Sequence, residues 1–399
     1  MLAGRAPLGA AGCGRLLAAG LRPLLCGLSP LLCGLSPCCV TAGRQYPALR
    51  VAEPAKEKRP VRKEQRSSLV VRRFIACPQL ARTVRRCLQR TASAGPQPPL
   101  LEFAPGPGIL TRSLLDAGFR VIALESNSDF FTDLQSLENS LDGQLKVIHG
   151  DFFRLDPLSK AALKPPAVSS DKLFEAMGVA AVPWRADVPL KIFGIVPQQL
   201  ERNRLWRLLF AMYECSSIYR YGRVELNLFI SEKEYTVLTA KPGKSKIYQA
   251  LTVLAQLGYD IELLHKEPWS SFATNLKNGG LAIPKSGRLP NDHLCLVRLT
   301  PQQNLFTGGL KPSNTSTFIF MVKQSFAKPK SKLTDRLNSW SLDNSDTLLK
   351  ALEIPKNAAM CNLYPEDYKR LFEAFQNSDM FAETFFHDEV LTTTRTMNI

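Results

Sequence analysis

From Pro78 onward, short apolar runs alternate with stretches whose apolar positions recur every three or four residues. That alternation is the sequence form of an open α/β sheet with helices on both faces, because strands buried on two sides read as continuous hydrophobic runs. Seven runs qualify as strands: 100–104 (LLEFA), 120–125 (RVIALE), 145–151 (LKVIHGD), 189–197 (PLKIFGIVP), 223–230 (RVELNLFI), 260–268 (DIELLHKEP) and 293–300 (HLCLVRLT). The pattern predicts a doubly wound, Rossmann-like sheet of seven strands. Ahead of it, Leu80, Val84, Cys87 and Leu88 recur at helical spacing behind Pro78, with Arg82, Arg85, Arg86 and Arg90 on the opposite face. This is an amphipathic helix, ended by TASAGPQPP at 91–99. An insert from Phe152 to Asp187, with Trp184, reads as loop and short helix near a pocket, and a Gly-, Lys- and Pro-rich loop runs from Asn275 to Pro290. From Thr317 the period turns helical, so a smaller helical domain is expected over 305–385, after a sheet domain over 74–304 and before a tail at 386–399.

Charge changes the picture of the N-terminal end only. The net charge is +16, but the first 99 residues carry 17 Lys or Arg against three acids, so 14 of the 16 charges lie there. The remainder is nearly neutral, and any nucleic-acid site in it must be a local patch rather than a global field. Residues 1–50 hold five Arg and no acid among Leu, Ala, Gly and Cys, which is the composition of a mitochondrial transit peptide. A secretory signal is the rival reading, since Pro23 to Val40 is uncharged. Pro23, Pro30 and Pro37 break any continuous helix there and argue against a membrane span. Residues 51–73 form a basic arm, either solvated and partly disordered or in contact with nucleic acid. Five of the ten cysteines fall in the leader, and Cys77, Cys87, Cys215, Cys295 and Cys361 are far apart with no CxxC pair. Neither a disulfide framework nor a zinc site has support, the four histidines have no ligand spacing, and a reducing compartment fits.

Candidate chemistry gathers at strand ends. Glu102-Phe103-Ala104-Pro105-Gly106-Pro107-Gly108-Ile109-Leu110-Thr111 is a strand running into a Gly-rich turn that opens a helix. Glycines let backbone approach a ligand, and a helix N-terminus favours a carboxylate. The turn lacks a full GxGxxG, which disfavours a dinucleotide pyrophosphate. Glu125 closes the next strand, where an acid can accept both ribose hydroxyls of an adenosine, and Asp151 closes the third, placed for an adenine amine. Taken singly, Gly106 and Gly108 could be a tight turn and Glu125 and Asp151 helix caps. Jointly, at successive strand ends, they point to one adenosine-bearing ligand.

At these residues the chain resembles the ribosomal RNA adenine dimethyltransferases, whose signature reads E-x-G-P-G-x-G-x-L-T. Pro105, Gly106, Gly108, Leu110 and Thr111 match it, while Ala104 replaces its first glycine. Upstream, Arg73-Phe74-Ile75 is similar to the family's cofactor-lid segment Q-x-F-L without its Gln. Downstream, Glu232-Lys233-Glu234, Ala240-Lys241-Pro242-Gly243, Tyr248, Leu251 and Val253 follow the family pattern, so the resemblance covers about 70–385. It implies the class I methyltransferase form of the sheet and S-adenosylmethionine as cofactor, held by Ile75, Glu102, Ala104, Gly106, Gly108, Glu125 and Asp151.

The catalytic signature is broken. Active members carry N-[IL]-P-[YF] after the fourth strand, the Asn taking the target amine and the ring stacking the flipped base. Here Ile195, Val196, Pro197 and Gln198 stand there. Ile accepts no hydrogen bond and Gln offers little stacking surface. Losing one preorganised polar group costs ~10²- to 10³-fold in rate. Stretches such as PGPGILT, VIALES, KVIHGDFF, EPWSSF and NLFT resemble the mitochondrial transcription-factor branch of the family. That implies a transcription initiation factor in the matrix nucleoid, with mitochondrial RNA polymerase, mitochondrial transcription factor A and promoter DNA as partners. The alternative is a working dimethylase acting on mitochondrial small-subunit rRNA. In the helical segment, Phe318, Val322 and Phe326 form a core stripe, and Lys328, Lys330 and Lys332 follow at the family's basic stretch, where Pro329 interrupts it. These lysines are either a solvated end or phosphate contacts, which read backbone charge and not sequence.

Overall fold

The computed structural model describes residues 71–89, 97–141, 143–157, 166–275, 290–340 and 345–376. The leader, the arm up to residue 70, most of the 275–290 loop and the tail lie outside the described residues. The elements run β1 (Arg73–Phe74), α1 (Pro78–Gln89), β2 (Leu100–Phe103), α2 (Ile109–Leu115), β3 (Val121–Glu125), α3 (Ser128–Glu138), β4 (Leu145–His149), α4 (Ser170–Met177), β5 (Lys191–Ile195), α5 (Glu201–Tyr213) and β6 (Glu225–Ser231). They continue through α6 (Glu232–Leu238), α7 (Ala250–Gly258), β7 (Tyr259–Pro268), β8 (Ala273–Thr274), β9 (His293–Pro301), α8 (Thr315–Ser325), α9 (Leu333–Ser339), α10 (Ser345–Ala351) and α11 (Pro365–Gln376). All seven runs expected as strands are strands of one sheet, in the order β4-β3-β2-β5-β6-β9-β7. The five strands from β4 to β6 are parallel, and β9 joins antiparallel between β6 and β7. This is the doubly wound methyltransferase sheet.

Strand pleat sorts the apolar residues to two cores. Leu100, Val121, Ala123 and Phe193 face α1 and α2, whereas Leu101, Phe103, Ile122, Leu124 and Ile192 face α4, α5 and α7. The chain leaves β2 outward to β3 and β4, then returns to lay β5 on the other side of β2. The topological switch point of the sheet therefore lies between β2 and β5, and a ligand crevice is expected above it.

Two features depart from the sequence pattern. Arg73, assigned to the basic arm, instead opens β1, which pairs antiparallel with β8. Its side chain lies over the Trp269 ring at 4.5 Å, so long-range packing captures a residue that charge alone assigns to solvent. The C-terminal helices do not enclose a core of their own. Leu305, Phe318, Val322, Trp340, Phe372 and Phe375 belong to the same cluster as Leu101 and Ile192, linked through contacts such as Tyr213–Phe318 at 6.0 Å.

Register places Gly194 of β5 opposite Phe103 of β2. A Cβ at Gly194 would fall 2.4–2.5 Å from the Phe103 ring, itself stacked on Phe152 at 4.6 Å. Gly194→Ala is expected to destabilise the fold by about 1–3 kcal/mol through overpacking. A urea midpoint equal to that of the unaltered protein would contradict it.

Candidate functional site

A cleft open to solvent lies at the switch point and is lined by Arg72, Arg73, Phe103, Ala104, Asp151, Phe153, Ile195, Pro197 and Arg204, with neighbouring residues. Of the residues singled out from sequence, Ala104, Asp151, Ile195 and Pro197 meet in its wall. Ile75, Glu102, Gly106, Gly108 and Glu125 do not line it, and stand behind it as support.

The Gly-rich turn is shaped by close approach. Gly106 has φ +62°, and a Cβ there would lie 2.3–2.9 Å from the Phe74 ring. Gly108 has φ +73° at the start of α2, and Ala104, in place of the family glycine, sits at φ +50°. An L-residue in this left-handed region is strained, so Ala104 costs backbone energy that a glycine would not. Ile75 is buried in the core beneath α1.

Glu125 is fully buried, and its carboxylate accepts from the amides of Gly106 (3.1 Å), Ser126 (2.8 Å) and Asn127 (2.7 Å). The guanidinium of Arg72 lies 3.5 Å from its Oε1. Asp151 accepts from the amide of Phe153 (2.9 Å) and caps the short helical turn 152–154 while facing the cleft. Both acids thus satisfy local backbone, Asp151 in the wall of the cleft and Glu125 buried behind it. Glu102 is buried beneath the turn and accepts from the hydroxyl of Thr111 at 2.7 Å. Burial pushes its carboxyl up to about 7, a shift that the Thr111 hydrogen bond opposes and the Glu125 charge reinforces. These residues fit S-adenosylmethionine: a turn where only small residues fit, a buried carboxylate at the second strand end, and an acid at the third.

The mouth is fixed by α5. Arg204 donates to the carbonyls of Pro197 (2.9 Å) and Gln199, and its guanidinium covers the Phe153 ring at 5.0 Å. Arg207 donates to the carbonyls of Phe153 (2.8 Å) and Leu155 (2.5 Å). Val196 is buried, and the Nε2 of Gln198 is buried with no hydrogen-bond partner. The loop that follows β5 is therefore held by Arg204 and the 153–155 segment by Arg207, and Ile195 and Gln198 bring neither an Asn side chain nor an aromatic ring to the mouth. Sequence reasoning missed Arg72, Arg204 and Phe153. Phe153 lies two residues after Asp151 and could have been found as an aromatic near a strand-end acid, but Arg204 belongs to an ordinary amphipathic helix and carried no signal.

Lys328, Lys330 and Lys332 are exposed and do not line the cleft. Among the described residues no group of three His, Cys, Asp or Glu could hold a metal ion, and no helix is long and apolar enough to cross a membrane.

The model of the ribosomal RNA adenine dimethylase family matches residues 81–377. The chain is 44% identical over 320 residues to "Dimethyladenosine transferase 2, mitochondrial" of Bos taurus, covering 80% of this chain and 81% of that one. Against the Homo sapiens protein of the same name the identity is 41% over 337 residues, covering 84% and 85%. Among solved structures, a dimethyladenosine transferase from Plasmodium falciparum aligns with 73% of this chain and 95% of its own, at 15% identity and a TM-score of 0.48.

Two outcomes follow from the geometry. Arg72 occupies the carboxylate that ribose hydroxyls would use, so Arg72→Ala should tighten S-adenosylmethionine binding severalfold by calorimetry; weaker binding would make Arg72 a ligand contact instead. Glu102 and Glu201 both have carboxyls raised from 4.5 to about 7, chiefly by burial, Glu201 while accepting from the Ser231 hydroxyl and amide. An acid raised in the folded state stabilises while both states are protonated and loses that contribution as pH climbs between the two values. The melting midpoint should fall from about pH 5 to about pH 8, and Glu102→Gln should flatten that fall. An equal slope in the variant would show that Glu102 does not titrate there.

Proposed function

Because the chain belongs to the ribosomal RNA adenine dimethylase family, we propose that it is a mitochondrial member turned from base methylation to transcription initiation. In this reading it assists a single-subunit mitochondrial RNA polymerase in melting promoter DNA, in the nucleoid of the matrix, alongside mitochondrial transcription factor A. The observation that carries it is the mouth of the cleft. Ile195 and Gln198 stand where the family has its acceptor and its stacking ring, and Arg204 holds both the Pro197 carbonyl and the face of Phe153. A flipped adenine would find no Asn at position 195 to accept from its amine and no ring at position 198 to stack on. The mitochondrial names of the relatives support the location.

The cofactor side is better kept than the base side. S-adenosylmethionine, the family's cofactor, supplies an electrophilic methyl group when bound. Glu125 would hold the ribose hydroxyls in place of Arg72, Asp151 would take the adenine amine, and the turn at Gly106 would admit the methionine end. This retention favours one alternative, a slow dimethyladenosine transferase acting on mitochondrial small-subunit rRNA. Lys328, Lys330 and Lys332 would contact phosphates in either case.

The readings separate experimentally. The full chain is expected to stimulate promoter-dependent transcription by purified mitochondrial polymerase, and to keep doing so with Asp151→Ala. It should methylate a small-subunit rRNA hairpin at least ~10²-fold more slowly than an intact family enzyme, with Ile195→Asn raising the rate. Ordinary methylation by the unaltered chain, without stimulation of transcription, would replace this proposal with the enzymatic one.

A further inference from the structure

A second lysine loop lies beside the first. Lys241, Lys244 and Lys246 occupy the turn between α6 and α7, and Lys328, Lys330 and Lys332 the turn between α8 and α9. Some eighty residues apart in sequence, the two loops are joined by one residue. The Gly243 amide donates to the Cys361 carbonyl at 2.8 Å, and the Cys361 amide donates to the Pro329 carbonyl at 2.9 Å. Met360 donates to the carbonyl of Ser331 at 3.1 Å, and Lys332 pairs with Ala359 as an antiparallel bridge. Hydrogen-bonded backbones lie ~5 Å apart, so the two loops stand ~10 Å apart across residue 361.

The junction is fixed from beneath. Tyr248, just after the first loop, donates its hydroxyl to the Leu363 carbonyl at 2.8 Å. Phe326, just before the second, lies 5.7 Å from the Tyr248 ring and 5.8 Å from that of Tyr368. All six lysines are exposed, and none has an ion-pair partner among the described residues. Of the nearby acids, Asp367 is engaged by the Tyr364 amide (2.9 Å) and by Arg370 (3.5 Å), which leaves Glu366 at the edge.

The segment that joins the loops also presents an aromatic ring. Tyr364 is 63% exposed, one of three large apolar side chains so exposed among the described residues. Cations that track a backbone beside an exposed ring form the arrangement that binds single-stranded nucleic acid, the lysines holding phosphates and the ring stacking a base. A duplex offers the phosphates but no free base face.

We propose that the two lysine loops and Tyr364 form one surface for single-stranded nucleic acid, assembled across Cys361. The proposal rests on the nucleic-acid reading above and adds to it the 241–246 loop, the ring and the preference for an unpaired strand.

The test uses the full chain, a labelled single-stranded DNA oligonucleotide and the matching duplex, each titrated over a range of salt. Replacing Lys241, Lys244 and Lys246 with Gln should lower the salt slope for the single strand by about two units, since each lost contact is worth about 0.7. The same change at Lys328, Lys330 and Lys332 should do likewise, and the combined variant about twice as much, with melting midpoints unchanged. Tyr364→Ala should weaken single-strand binding about fivefold or more at an unchanged slope, leave duplex binding alone and be rescued by Tyr364→Trp. A full slope in the 241–246 variant would overturn the joint surface while leaving the 328–332 reading standing. Equal losses on duplex and single strand in Tyr364→Ala would overturn the stacking role. Full slopes in both lysine variants would remove the nucleic-acid reading of this face altogether.

Discussion

The parallel pairing of β2 with β3 on one side and β5 on the other is the constraint on which the site depends. It brings Ala104, which follows β2, and Glu125 and Ile195, which end β3 and β5, to one edge of the sheet. The absence of a side chain at Gly194 leaves the space on the sheet face in which the Phe103 ring lies. That ring in turn stacks on Phe152 and meets Phe153 edge-on at 5.4 Å, so the floor of the cleft and its mouth share one aromatic column. Packing at the centre of the sheet therefore decides where the strand-end loops can go.

Charge is distributed around that column in an uneven way. Glu102 and Glu125 are buried beneath the Gly-rich turn, one with its carboxyl pushed up to about 7 by burial and the other satisfied by three amides and Arg72. Arg72, Arg73 and Arg204 line the cleft. The acids hold the backbone in shape, and the arginines bring positive charge to the cleft wall. The cleft thus keeps the buried supports of its Gly-rich turn while its mouth is bordered by arginine and aromatic side chains.

The surface argument follows from the same continuity of packing. The C-terminal helices share the core of the sheet, and the turns between α6 and α7 and between α8 and α9 are both hydrogen-bonded to Cys361. Lysines on loops so held are preorganised, which lowers the entropy lost on binding a phosphate backbone.

The seven strands, the leading amphipathic helix and the C-terminal helices were legible in the sequence, because burial on two faces, on one face, or on neither leaves a period that local residues must obey. The strand-end acids and the Gly-rich turn were legible for the same reason: their chemistry is tied to fixed offsets from the strands. Residues whose role depends on partners far along the chain were not. Arg72 reads as part of a basic arm until β1 pairs with β8 and delivers it to Glu125. Arg204 reads as a solvated helix position until α5 packs beside residues 152–155. Lys241 and Lys328 become neighbours only through Cys361. Periodicity and motif spacing are local properties that sequence alone determines. Which charges meet, and which aromatic face is covered, is decided by contacts between distant segments, and those exist only once the chain has folded.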